Sequence, residues 1–357
     1  MDPDDAESGT RPTRPPRLLL IIVLVLVLTL GLAAALGISR LRSGPNSTPA
    51  RQSASPVSGS SAATTPAAEP EGSGEHTAYI DEVLDLMDQG YFAEGAQWAS
   101  AKATAHAEAG KAATMTQAHE ILDRALAVAG GHHSRLFRPG EGLDTGVPER
   151  LPTVTDDGCV STLVVPALGS KDADFNRRYA VTLADAINSR RASACGFVVD
   201  LRGNTGGNAW PMVGGLAALI PDGPMLDFVH RDGSATHVVI TGNRALVGSD
   251  EMISVDTGPK VGVPVAVLTD QRTASSAEVV ALAFVGLPRA RRFGTATAGF
   301  SSSNDLFPLS DGATLMLTTG MDRDRTGALR GGVIEPDVPT VPDEALPAAI
   351  DWILAPR

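Results

Sequence analysis

A hydroxyl residue that opens a helix lies beside backbone N–H groups with no intrahelical partner. The same few residues can therefore supply a nucleophile and a site for a developing oxyanion. One segment has that form: VPVAVLTD reads as a strand, and TASSAEVV follows it, placing Ser275 and Ser276 where an apolar helix begins. Ser275 and Glu278 also have the Ser-x-x-Glu spacing of a helix-capping box, an architectural role that needs no chemistry. A second junction, VVDLRGNTGGN at residues 198–208, runs a buried strand into a glycine turn. This turn has neither the Gly-x-Gly-x-x-Gly spacing of a dinucleotide site nor a Walker lysine. The chain also lacks the Gly-x-Ser-x-Gly elbow of an ordinary α/β-hydrolase.

A nucleophilic serine needs a base. The chain has seven histidines. His76 borders a linker, His106 and His119 fall in polar helical stretches, and His230 and His237 flank a hairpin. His132 and His133 share a glycine-led loop, GGHHSR, at the end of a helix, the kind of segment in which catalytic groups concentrate, although taken alone a solvent-exposed loop histidine is the more ordinary reading. No motif calls for a metal or an organic cofactor, and none is expected.

These segments need elements to hold them. Tyr79, Ile80, Val83, Leu84, Leu86 and Met87 fall at helical spacing, and MTQAHEILDRALAVAG repeats the pattern up to Gly130-Gly131, so residues 76–130 read as helices. After Leu151 strands and helices alternate. VSTLVVPAL, GFVVDLRG and VPVAVLTD read as strands, while RRYAVTLADAINSRR, NAWPMVGGLAALI and SSAEVVALAFVG read as helices. That texture predicts a mostly parallel sheet covered on both faces, with active residues at the strands' carboxyl ends. Cys159 and Cys195 each open an apolar run. They can bridge if those runs are adjacent strands, or stay as buried thiols.

The N-terminal region differs. Residues 1–17 form a short polar tail, and Leu18 to Ile38 is uncharged throughout. At 1.5 Å per residue that stretch spans about 30 Å, the thickness of a bilayer core. It reads as an uncleaved transmembrane signal-anchor, although Ala33-Ala34-Ala35 offers a cleavage site. Residues 39–75, rich in Ser, Pro and Ala, read as a disordered linker. The folded part is then expected outside the cytoplasm on a single-pass protein of the cell membrane. A net charge of −12 argues against nucleic acid as a partner. With aromatic residues at only 4%, the core must rest on aliphatic packing.

Read in order from Leu151, the segments DLRGNTGGN, TASSAE, RRFGTATAG, LSDGATLMLT and GGVIEPDV resemble the tail-specific, or C-terminal-processing, serine peptidase family. NTGGNAWPM and FPLSDGATLMLT are most similar to its nisin-resistance-protein branch, and the resemblance runs from about Ala78 to Val341. It implies a fold of the ClpP/crotonase-like type, with a helical bundle (76–150) carrying a histidine loop, packed on a catalytic core (151–357). It places the nucleophile on Ser275, with Ser276 as the alternative. Lysine-dyad members carry a lysine after a Thr-x-Gly motif, but here Thr297-Ala298-Gly299 is followed by Phe300. The stretch between His133 and Leu151 is also too short for their PDZ domain.

Both departures imply the serine–histidine branch, with His133 as the base in preference to His132. The resemblance further implies an oxyanion site at the N–H of Ser276 and of Gly206 or Gly207. Thr273, Asn208 and Phe300 are expected to line a groove for an extended peptide, and Glu335 is a candidate to orient the histidine. The function implied is hydrolysis of extracytoplasmic peptides, lanthipeptide-like antimicrobials or C-terminal tails. The contrasting expectation is a catalytically silent peptide- or ligand-binding module on the same fold.

Overall fold

A computed structural model describes residues 73–141 and 148–356. The expected span at Leu18–Ile38 and nearly all of the expected linker lie outside the described residues. Among those residues no helix is long and apolar enough to cross a membrane. The first helix begins at Ser73, so the last three positions assigned to the linker are helical instead.

Three helices come first: α1 (Ser73–Met87), α2 (Gly95–Ala109) and α3 (Met115–Ala129). Tyr79, Ile80, Val83, Leu84 and Met87 line one face of α1, and Ala118, Ile121, Leu122, Ala125, Leu126 and Ala129 one face of α3. These recurrences at three and four residues bury two stripes against each other. Thr114 caps α3 by accepting from the Gln117 N–H. Gly130 and Gly131 end it, Gly131 with a φ of 66° that favours glycine. His119 is not in a polar stretch as expected. It is buried between α1 and α3, where its Nε2 lies 2.7 Å from Asp311 Oδ2 and 3.2 Å from the Tyr79 hydroxyl.

The rest of the chain forms two sheets. Strand β1 (Arg135–Phe137) is followed by β2 (Thr153–Asp157), β3 (Val160–Val164), α4 (Ala173–Arg190), β4 (Gly196–Asp200) and α5 (Ala209–Leu216). Next come β5 (Gly223–His230), β6 (Ala235–Thr241), β7 (Arg244–Val247), β8 (Asp250–Ser254), β9 (Val265–Thr269) and α6 (Ser276–Leu282). Strands β10 (Ala290–Gly294), β11 (Ser302–Pro308), β12 (Thr314–Asp324) and β13 (Val338–Pro339) lead to α7 (Ala345–Leu354).

One sheet has the order β13-β10-β9-β4-β3-β2 and is parallel except for β2. Its central strands GFVVD and VAVLT are buried at every position, as expected of a sheet covered on both faces. Phe197, Val199, Val265 and Val267 face the layer of α4, α5 and α6, while Val198, Ala266 and Leu268 face α7. Cys159 and Cys195 stand at the amino ends of β3 and β4 and form a disulfide, with Cα atoms 5.2 Å apart.

The expectation of a mostly parallel sheet holds for only this half. The second sheet is antiparallel, β1-β12-β5-β6-β7-β8, with β11 added on β12. The links from β5 through β8 are tight turns, and a parallel crossover needs a dozen residues or more. This sheet carries the helical bundle. Leu315, Leu317, Leu309 and Ala313 join the core of α1 to α3, and Arg231 in the β5–β6 turn donates to the carbonyls of Asp88, Gly90 and Ala93.

Candidate active site

The site forms where the carboxyl ends of β4 and β9 meet the antiparallel sheet. After β9 the chain turns through Asp270–Ser275. Asp270 accepts from the N–H groups of Gly203 and Arg272, and Ala274 N–H donates to Asn204 O. Thr273 donates through Oγ1 to Leu201 O at 3.0 Å and is fully buried. It therefore ties the two turns together and does not line a groove, contrary to the sequence expectation.

These restraints hold Ser275 at φ 53° and ψ −118°, making it the one non-glycine residue with positive φ among the described residues. A backbone state of this kind costs about 1–3 kcal/mol and persists only where the surroundings enforce it. Its Oγ lies 3.2 Å from His133 Nε2.

His133 ends a one-turn helix after α3. Ser134, next in the chain, anchors this loop on β12: its Oγ accepts from the Thr318 N–H and donates to Thr318 Oγ1. A side chain at Gly130 would meet Ser134 Oγ at 2.0 Å, which explains the glycine. The other ring nitrogen of His133, Nδ1, is 2.7 Å from Ser302 Oγ at the start of β11. The Phe300 ring packs against both histidines, with centroids 5.0 Å from His133 and 4.9 Å from His132. Burial, and secondarily the neighbouring His132, lower the His133 pKa to about 4, so its ring is neutral near pH 7. His132 is exposed and its Nε2 lies 3.0 Å from Gly299 O, so of the two histidines His133 is the one at the serine.

Gly206 packs so closely that a Cβ there would come within 2.9 Å of Ser275 Cβ. Its N–H is not free, because it donates to Asn204 Oδ1 at 2.9 Å. That removes Gly206 from the expected oxyanion donors. The N–H groups of Gly207 and Ser276 have no partner among the described residues, and Ser276 Oγ donates to Gly207 O, joining the two segments. Gly207 has φ 110°, and a Cβ there would overlap Leu168 O at 2.1 Å.

Asn208 is half-exposed and caps α5 by accepting from the Trp210 N–H. Glu335 is exposed and has no contact with His133, whose Nδ1 faces Ser302, so its expected orienting role is not supported. Sequence reasoning missed Ser302, which sits in a run of three serines with nothing to single it out. It also missed the reach of Glu278, read only as a cap. The Glu278 carboxylate is buried and accepts from Ser275 N–H (2.8 Å), Phe300 N–H (2.7 Å), Gly299 N–H (3.0 Å) and Thr297 Oγ1. Burial raises its pKa, against the opposing effect of these bonds.

A neutral imidazole beside a serine hydroxyl, with two unpaired N–H groups nearby, has the parts for acyl transfer. Peptidase family S41 matches residues 172–340. The nisin-resistance protein of Lactococcus lactis subsp. lactis is 31% identical over 278 residues, covering 77% of this chain and 86% of that protein. Among solved structures, a lipoprotein from Streptococcus agalactiae superposes with a TM-score of 0.69 at 28% identity, over 78% of this chain and 96% of that one. The photosystem II D1 C-terminal processing protease superposes with a TM-score of 0.52 over 75% and 93%, and at 15% identity this is a likeness of fold.

Proposed function

We infer, for a chain that belongs to peptidase family S41 and is a serine peptidase acting on peptides, that Ser275 is the nucleophile and His133 the base. The resemblance to the tail-specific peptidases and their nisin-resistance branch is borne out by these matches. What carries the assignment of roles is the 3.2 Å approach of His133 Nε2 to the Oγ of a serine held at positive φ.

The steps follow from that geometry. With the proton on Nδ1, His133 donates to Ser302 Oγ, leaving Nε2 as an acceptor for the Ser275 proton. Oγ attacks the peptide carbonyl, and the N–H groups of Ser276 and Gly207 stabilise the oxyanion. The imidazolium then protonates the departing amine, leaving an acyl-enzyme on Ser275. Water, deprotonated by His133, hydrolyses this ester and regenerates the hydroxyl.

The substrate proposed is an extended peptide outside the cytoplasm, with lanthipeptide-like antimicrobials first among candidates because one relative is a nisin-resistance protein. The Cys159–Cys195 disulfide supports an oxidising compartment. The uncharged segment Leu18–Ile38 supports a membrane anchor. Mass spectrometry of nisin and of linear peptides incubated with residues 73–357 tests the activity. Cleavage by the wild type and none by Ser275→Ala, with unchanged circular dichroism, is the expected result. Cleavage that survives Ser275→Ala would overturn the role of Ser275. Binding without any cleavage would favour the silent module.

A further inference from the structure

We propose that Glu278 is a positioning residue for this reaction, one carboxylate that fixes the backbone of the nucleophile and the backbone of the loop covering its base in a single geometry. The proposal rests on Ser275 and His133 acting as inferred above.

A carboxylate offers about four lone-pair positions, and here all are used. Oε2 takes the N–H of Ser275 and of Phe300, while Oε1 takes the N–H of Gly299 and the Thr297 hydroxyl. An ordinary capping box needs only the first of these, the return bond from the third helical position to the N-cap N–H. The other three come from 19 to 22 residues further along the chain. They belong to the segment whose Phe300 ring lies on His133 and whose Gly299 carbonyl meets His132. Ser302, the partner of His133 Nδ1, follows two residues later.

Serine and histidine come from parts of the chain 142 residues apart, and their 3.2 Å approach needs a common reference. Glu278 supplies one from beneath the nucleophile. Three of its four donors are peptide N–H groups, which cannot reverse to accept. Thr297 Oγ1 is itself held as acceptor by the Ile334 N–H. The site is therefore matched to an anion and not to an amide. Ser275 adds a reason for strength, because its strained φ must be enforced and the bond to its own N–H is the nearest restraint.

Glu278→Asp separates capping from positioning. Aspartate at this place can still serve the Ser275 N–H and the helix start, but it is one methylene too short to reach Gly299 and Phe300 as well. The expected result is a folded protein with kcat lowered about 10- to 100-fold and KM little changed, as a misplacement of about 1 Å in a catalytic group would give. The rate at which a fluorophosphonate labels Ser275 should fall in parallel. Glu278→Gln, which keeps length but replaces one acceptor by a donor, should lose kcat in the same way. Wild-type kcat and labelling rate in folded Glu278→Asp would overturn the proposal, whatever Glu278→Gln does. If Glu278→Asp does not fold, Glu278→Gln alone decides on the same criterion. Ser275→Ala run alongside keeps the two ideas apart: abolished cleavage there with normal Glu278→Asp turnover sinks only the positioning role. Surviving cleavage in Ser275→Ala sinks the inferred roles themselves.

Discussion

The two halves of the site are built in different ways. Ser275 follows a strand buried at every position in a parallel sheet, and its turn is set by main-chain and side-chain bonds within residues 200–207 and 270–278. His133 follows a helical bundle seated on an antiparallel sheet, and side-chain contacts with Ser302, Phe300 and, through Ser134, Thr318 hold it. The proposed nucleophile is thus a product of backbone geometry, while the proposed base is a product of long-range packing. Loss of either reacting group should be all or none, and damage to the residues that hold them graded.

The largest effect tests whether the halves act as one unit. Ser275→Ala and His133→Ala should each lower kcat by on the order of 10⁴-fold or more, and the double variant should be no worse than either single one, because a nucleophile without its base loses the same step. Additive losses in steady-state kinetics would mean that the residues work separately. Next comes the graded side. Ser302→Ala leaves His133 in place but frees Nδ1, and loss of one neutral hydrogen bond, about 1–1.5 kcal/mol, should lower kcat about tenfold. A loss as large as that of His133→Ala would show that Ser302 does more than hold the ring.

The same contrast explains what the sequence discloses. The nucleophile half is local. The strand VAVLT, the hydroxyl run after it, the Ser-x-x-Glu spacing and the glycine turn all lie within short segments, so the junction can be recognised from spacing alone. The helical stripes of α1 and α3 are legible for the same reason. The base half depends on pairing between distant residues. His133 and Ser302 are 169 residues apart, and in the run Ser301–Ser303 only the register of β11 decides which hydroxyl reaches the ring. Ser301 turns inward to donate to Gly332 O instead. The antiparallel sheet is hidden likewise, because its strands alternate weakly and gain meaning only once β12 pairs with β11, β1 and β5. Gly206 failed as an oxyanion donor for a subtler reason: Asn204, two residues back, takes its N–H.

Stability should respond to the parallel half without changing chemistry. The disulfide closes a sequence separation of 36 residues. Replacing Cys159 and Cys195 together by serine should lower the unfolding free energy by about 3–4 kcal/mol through the released loop entropy. The bridge lies at the amino ends of β3 and β4, while the glycine turn follows the carboxyl end of β4. Five strand residues at about 3.3 Å each put ~16 Å between them. Turnover per folded molecule should therefore stay within about twofold, since the substitution touches no group near the reacting atoms. A stability loss in urea titrations with unchanged kcat is expected. A matching fall in kcat would show that the strand ends are mechanically coupled.

The smallest effect concerns the charge state of the base. His133 titrates at about 4 in the folded protein against 6.5 for a free imidazole, mainly from burial and secondly from His132. Catalysis needs the neutral ring, so kcat/KM should rise with pH through about 4 and be level by pH 6, well below the limb near 6.5 of a solvated histidine. His132→Ala removes only the lesser cause, so the limb should move up by a fraction of a unit while the plateau changes little. The linkage has a definite sign. Between pH 4 and 6.5 the unfolded chain binds the proton that the folded ring refuses, so His133 makes the fold less stable as pH falls through that window. Replacing His133 by Ala should flatten that part of the stability curve, whereas His132→Ala should leave most of it. An acid limb at 6.5 in the wild type, with circular dichroism unchanged over the same range, would mean that the base is exposed to water and that packing by Phe300 and the bundle does not set its proton affinity.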